Sequence, residues 1–171
     1  MTKVAFALGS NVGDRRALLA RAARWLSDHL RGAQVSSLYE TEPVGDVDQG
    51  AFLNAVVVGE TDAPPPELAR WIRHLECEAG RVRRVRWGPR TLDVDLILLG
   101  ARVEESAGLR IPHPRWKQRS FVLAPLAEVA PAWTDPESGL PVSRLYEALD
   151  PALRTPCNRI ADPEWSEAVR C

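Results

Sequence analysis

Leu92-Asp93-Val94-Asp95-Leu96-Ile97-Leu98-Leu99-Gly100 is the stretch on which the fold turns. After its two aspartates it is unbroken aliphatic, it has the length of a strand, and Gly100 ends it. A run apolar on both faces reads as a buried strand. Working back from it, Leu68, Trp71, Ile72, Leu75 and Ala79 recur at helical spacing, with prolines 64–66 at the start and Gly80 at the end. Before that helix lie two more strand-like runs, Val35–Tyr39 and the valine-rich Phe52–Val58, separated by a loop from Glu42 to Gly50. Earlier still, Leu18, Ala22, Trp25, Leu26 and Leu30 form one helical stripe that Gly32 closes, and Val4–Leu8 is a first buried strand.

The order is therefore strand, helix, strand, strand, helix, strand, the split βαβ pattern of an α+β, ferredoxin-like βαββαβ sandwich. Such a chain predicts a mostly antiparallel sheet with helices packed on one face. Phe121–Val129 and Val142–Leu149 read as two further short helices. Six prolines between Pro131 and Pro163 predict an irregular C-terminal extension that wraps the surface. The 171 residues suit a single domain, with a core of about residues 3–149 and a tail over 150–171.

Composition narrows the function. Formal net charge is −1, so no global field draws the chain to nucleic acid or an anionic membrane. The apolar N-terminal run stops at Gly9-Ser10-Asn11, too short for a signal peptide or a bilayer span, which predicts a cytoplasmic protein. Cys77, Cys157 and Cys171 have no zinc or redox spacing and read as reduced thiols. The chain has neither G-x-x-x-x-G-K-[ST] nor G-x-G-x-x-G, which excludes a P-loop and a Rossmann dinucleotide site.

Chemistry concentrates just before the last strand. Residues 81–90 hold five arginines and no acid, with Trp87 and Gly88 among them, and Asp93 and Asp95 follow. Strand residues i and i+2 share a face, so the two carboxylates converge on one spot. They repel there unless a cation lies between them, and magnesium binds one or two carboxylates together with substrate phosphates. Guanidinium groups grip phosphate oxygens in a bidentate fork. A loop with a bulky aromatic and a glycine could close over a site and shed water. Two other readings stay open. One is a single-stranded nucleic-acid module, since basic residues interleaved with an aromatic suit it. The other is a nucleotide-binding scaffold without catalysis.

Arg86-Trp87-Gly88-Pro89-Arg90-Thr91-Leu92-Asp93-Val94-Asp95-Leu96 resembles the signature of the 6-hydroxymethyl-7,8-dihydropterin pyrophosphokinases. Agreement in order and spacing extends to residues 7–14, 37–45 and 52–55, to Glu76 and Gly80-Arg81, and to residues 111–114 and 119–126, covering roughly residues 3–131. The resemblance implies a monomeric enzyme of ferredoxin-like fold. It would use ATP and two Mg2+ ions to place a diphosphate on the hydroxymethyl group of the pterin, releasing AMP, with no membrane or nucleic-acid partner. It implies that Asp93 and Asp95 hold both metals and that Arg81 and Arg90 contact the phosphates and assist transfer. Arg83 and Trp87 would belong to the closing loop. His113 and Arg119 would bind ATP phosphates, and Glu76 would lie near the nucleotide. Thr41, Pro43, Val44, Phe52, Asn54 and Phe121 would line the pterin pocket, with aromatic faces for a flat heterocycle and an amide for its edge. The chain departs from the family at Arg73, where relatives often have glutamine, at Glu42, at Trp116 in place of methionine, and in an arginine loop about one residue shorter.

Overall fold

The computed structural model describes residues 1–42, 50–80, 91–153 and 156–169. Strand β1 (Thr2–Ser10) leads into helix α1 (Arg15–His29), whose N-cap Asp14 accepts from the Ala17 amide at 3.1 Å. Strands β2 (Arg31–Val35) and β3 (Leu38–Thr41) are two parts of one sheet path broken at Ser36-Ser37. Strand β4 (Phe52–Thr61), helix α2 (Pro65–Glu78) and strand β5 (Asp93–Leu99) complete the βαββαβ series. A hairpin of β6 (Glu104–Ser106) and β7 (Leu109–Ile111) follows, then α3 (Ser120–Val129), α4 (Val142–Glu147), β8 (Cys157–Ile160) and α5 (Pro163–Ala168).

The main sheet runs β5-β1-β4-β3-β8, with β2 also paired to β4, and every pair is antiparallel. That is the ferredoxin-like arrangement, with one added edge strand. Expectation and structure part at five places. The single strand expected over Val35–Tyr39 is interrupted at Ser36-Ser37, with β2 ending at Val35 and β3 starting at Leu38. Gly32 does not close α1; Leu30 caps it, and Gly32, at φ 60°, lies inside β2 where the register with β4 shifts. The buried stripe of α1 centres on Leu19, Ala22, Ala23 and Leu26, while Leu18 and Trp25 are half-exposed.

Helices cover both faces of the sheet rather than one. Val4, Phe6, Leu8, Leu53, Ala55, Val57, Val94 and Leu96 pack against α1 and α2, with Trp165 of α5. Ala5, Val56, Val58, Ile97 and Leu98 pack against α3 and α4 on the other side, with Trp116 fully buried among them. Lastly, the C-terminal extension is irregular only in part: residues 131–140 form turns, but β8 and α5 are regular elements. Prolines delimit β8 and α5 instead of dissolving them: Pro163 occupies the first turn of α5, where its missing N–H costs nothing, and Asp162 caps it by accepting from the Trp165 amide at 2.9 Å. No helix among the described residues is long and apolar enough to cross a membrane.

Candidate active site

One end of the sheet gathers the chemistry. Here β1 ends, β3 ends, and β4 and β5 begin. Gly9 of β1 is registered opposite Asn54 on one side and Asp93 on the other, and Ala7 lies opposite Asp95. Thr41 is opposite Phe52, and Tyr39 opposite Asn54. Strand alternation then assigns faces. Leu53, Ala55, Val94 and Leu96 point to α1 and α2, so Phe52, Asn54, Asp93 and Asp95 point to the α3 side. The alternation of β5 slips after Leu96, where the β1 register shifts and Ile97 and Leu98 both enter the α3-side core. The slip lies beyond the aspartates, so they keep one face.

The aspartates are half-buried at the rim. Asp95 Oδ2 accepts from the Arg119 guanidinium at 3.4 Å, and His113 Nε2 lies 3.8 Å from the same oxygen. The His113 amide donates to the Ile97 carbonyl at 3.0 Å, which fixes this loop along the outer edge of β5. Burial, then the Arg119 and Arg115 charges, push the His113 imidazole down to about 4, so at neutral pH it is uncharged and its contact with Asp95 is not an ion pair. The Arg119 guanidinium also stands 5.6 Å from the Phe121 ring centroid, a cation–π contact at the start of α3.

On the far side of Gly9, Asn54 is buried, and its Nδ2 donates to Thr41 Oγ1 at 3.0 Å and to the Tyr39 carbonyl at 3.3 Å. With both amide hydrogens engaged, the Asn54 carbonyl oxygen is the group turned toward Gly9; a Cβ added at Gly9 would lie 3.4 Å from it. Phe52 and Phe121 are half-buried, each leaving ring surface open. Glu76 comes from the opposite side of the sheet. It is buried on α2 and accepts from the Val94 amide at 3.3 Å, so it braces the strand that carries the aspartates.

Of the residues singled out by sequence, Thr41, Phe52, Asn54, Asp93, Asp95, His113, Arg119 and Phe121 meet at this one end and on this one face. Pro43, Val44, Arg81, Arg83, Trp87 and Arg90 lie outside the described residues. Gly9 reads in sequence as the start of the glycine-serine-asparagine turn after the first strand, and only the strand register shows it bridging the two halves of the site.

The donor set fits magnesium. Asp93 and Asp95 offer hard carboxylate oxygens, and no group of three or more His, Cys, Asp or Glu that could hold a metal occurs among the described residues. Magnesium uses such an incomplete shell, taking its remaining ligands from phosphate and water.

Fold and site together define a ferredoxin-like protein with a pair of carboxylates flanked by Arg119 and His113 at one sheet end. Comparison with known proteins gives the family. A sequence model of 7,8-dihydro-6-hydroxymethylpterin-pyrophosphokinase matches residues 5–131. The 2-amino-4-hydroxy-6-hydroxymethyldihydropteridine pyrophosphokinase of Bacillus subtilis is 48% identical over 132 residues, 75% of this chain and 79% of that one. The protein of the same name from Mycobacterium tuberculosis is 45% identical over 168 residues, 90% of this chain and 87% of its own. The chain belongs to the 7,8-dihydro-6-hydroxymethylpterin-pyrophosphokinase family. Among solved structures, wild-type HPPK-DHPS of Plasmodium falciparum with SDX-DHP superposes with a TM-score of 0.66 at 15% identity, which speaks for the fold alone. The match covers 85% of this chain and 44% of that longer one.

Proposed function

We propose that this protein transfers a diphosphate from ATP to the hydroxymethyl oxygen of 6-hydroxymethyl-7,8-dihydropterin, releasing AMP, in folate biosynthesis. The observation that carries the reading is the juxtaposition across Gly9. A buried amide with its acceptor turned toward Gly9 stands on one side, and a carboxylate pair with Arg119 and His113 on the other. Adjacent strands lie about 4.8 Å apart, so Asn54 and Asp93 are roughly 10 Å apart across β1, a span that one flat heterocycle with a one-carbon arm can bridge.

The pterin ring lies between the Phe52 and Phe121 faces, with its N–H edge donating to Asn54 Oδ1 and Thr41 at its side. Its hydroxymethyl arm runs over Gly9 toward the aspartates. Arg119 and neutral His113 donate to phosphate oxygens of ATP. The pterin oxygen attacks the β-phosphorus, and a new O–P bond forms. The bond from that phosphorus to the α–β bridging oxygen breaks, and that oxygen leaves with AMP. The hydroxyl proton passes to solvent. Asp93 and Asp95 would hold two Mg2+ ions, which would supply neutralisation of charge on the attacking and leaving oxygens. The rest is positioning and electrostatics. Arg81 and Arg90 would assist the transfer, Arg83 and Trp87 would close over it, and Pro43 and Val44 would complete the pterin wall. The protein works as a single domain, a monomer in the cytoplasm.

The test is AMP release from ATP and magnesium with and without the pterin. Pterin-dependent AMP supports the reading. ATP binding without AMP would favour the scaffold, and salt-sensitive oligonucleotide binding that needs no magnesium would favour the nucleic-acid module.

A further inference from the structure

The C-terminal segment has no part in the reaction above, yet it grips the strand that forms one wall of the site. Strand β8 pairs with β3 along its whole length, from Leu38 opposite Ile160 to Thr41 opposite Cys157. Behind β3, on the α3 side, the Glu128 carboxylate gathers four donors. It accepts from the Ser37 amide at 3.2 Å, the Ser37 hydroxyl at 2.8 Å, the Tyr39 hydroxyl at 2.9 Å and the Arg159 guanidinium of β8 at 3.4 Å. Arg159 Nε also donates to Ser37 Oγ at 2.9 Å. On the opposite side of the sheet, the indole of buried Trp165 donates to the Ser36 carbonyl at 2.9 Å. The break between β2 and β3 is thus held from both sides by the tail and the end of α3.

This matters for the site because of what β3 carries next. The Tyr39 carbonyl and Thr41 Oγ1 are the two acceptors that fix Asn54 with its carbonyl oxygen toward Gly9. Glu128 holds Tyr39 by its hydroxyl; Tyr39 holds Asn54 by its backbone. The aspartates lie on β5, at the other edge of the sheet, separated from β3 by β1 and β4.

We propose that Glu128 and Arg159 are positioning residues for the pterin side of the site, a clamp through which the C-terminal segment sets the orientation of Asn54 without touching substrate. The proposal rests on the functional reading given above. Four hydrogen bonds to a charged acceptor that is 26% exposed make the clamp strong enough to matter.

The experiment compares the full-length wild-type protein with Glu128→Ala, Glu128→Gln, Arg159→Ala and the Glu128→Ala/Arg159→Ala pair. It measures KM for pterin, KM for ATP, kcat, pterin binding by its own fluorescence, and amide exchange in β3. Glu128→Ala is expected to raise KM and Kd for the pterin about tenfold and to speed exchange of the β3 amides, with KM for ATP and kcat within about twofold. Arg159→Ala moves the same quantities less, and the pair exceeds Glu128→Ala by less than the effect of Arg159→Ala alone, because the two residues share the Glu128 carboxylate and Ser37. A merely structural role would instead lower kcat through a smaller active fraction and leave both KM values unchanged; that result overturns the clamp. Equal rises in both KM values overturn it too. Should Glu128→Ala fail to fold, Glu128→Gln and the exposed Arg159→Ala carry the same test. Wild-type protein that binds no pterin sinks the functional reading itself, whereas wild type that binds while Glu128→Ala binds equally well sinks only the clamp.

Discussion

Asp95→Asn separates the chemical role of the carboxylate pair from any structural one. The substitution keeps the shape and an acceptor for Arg119, and it removes one charge. Two rises of about 3.3 Å put the paired aspartates roughly 6.6 Å apart along β5. At this rim Asp95 is 32% exposed, so an effective dielectric of about 20–80 applies, and their repulsion is about 0.6–2.5 kcal/mol. Against that stands the loss of the Arg119 ion pair at 3.4 Å, worth about 0–1 kcal/mol at a partly exposed site. The terms oppose each other, so the stability change stays within about 2.5 kcal/mol. For a chain of 171 residues that is a shift in Tm of at most about 10 °C. Turnover should nevertheless fall about a thousandfold, the order lost when a preorganised charge-stabilising element is removed. The assays are thermal melting and AMP release over a magnesium titration, with pterin affinity as a control that stays near wild type. A variant that melts more than about 10 °C early would show Asp95 to be structural. One that turns over at near-normal rate would refute the assignment of the pair to metal and phosphate.

Asn54→Ala removes the donors that tie β4 to Thr41 and the Tyr39 carbonyl as well as the proposed pterin acceptor. Pterin Kd should rise at least about tenfold while ATP binding holds, and the protein should lose about 1–3 kcal/mol in a denaturant melt. Gly59→Ala would place a Cβ 2.9 Å from Leu30 Cβ and 3.2 Å from the Arg31 carbonyl oxygen. The overpacking should cost about 1–3 kcal/mol by chemical denaturation with no change in either KM. Asp135 is fully buried and accepts from Lys117 Nζ at 2.8 Å, the Ser138 hydroxyl at 2.7 Å and the Glu137 and Ser138 amides. Burial works to raise its carboxyl, but the Lys117 ammonium and these donors outweigh it and hold it below the ordinary value of 3.8. A depressed carboxyl stabilises the fold above its unfolded value and loses that contribution as pH falls. The stability gap to Asp135→Asn, about 2 kcal/mol at pH 7, should therefore be flat above about pH 5 and close progressively below 3.8. A gap that persists at the lowest pH would contradict this.

Much of the fold was legible because hydrophobic pattern and punctuation agree across the first hundred residues. Val4–Leu8, Phe52–Val58 and Leu92–Leu99 each read as strands and are strands, and the site aspartates stood out as the only charges on an aliphatic run. What stayed hidden depends on tertiary context. Gly32 looks like a helix stop, yet its positive φ serves a register shift inside β2. The prolines of the tail suggested irregular chain, because the pattern of a four-residue edge strand is too short to be seen against them. The second helical layer could not be inferred, since a strand apolar on both faces does not say what covers each face. Glu76 shows no signal of burial in sequence; its capping of the Val94 amide appears only when α2 meets the free edge of β5. The contacts among Ser37, Tyr39, Glu128 and Arg159 join residues up to 122 positions apart, and no local motif announces them.

The most direct test of the central claim is to follow the atoms of the reaction with ATP labelled at the α–β bridging oxygen. Attack at the β-phosphorus predicts that the label leaves entirely in AMP and that the pterin gains the mass of two phosphates. A pterin that gains one phosphate, with ADP as the other product and the label retained within it, would contradict the account.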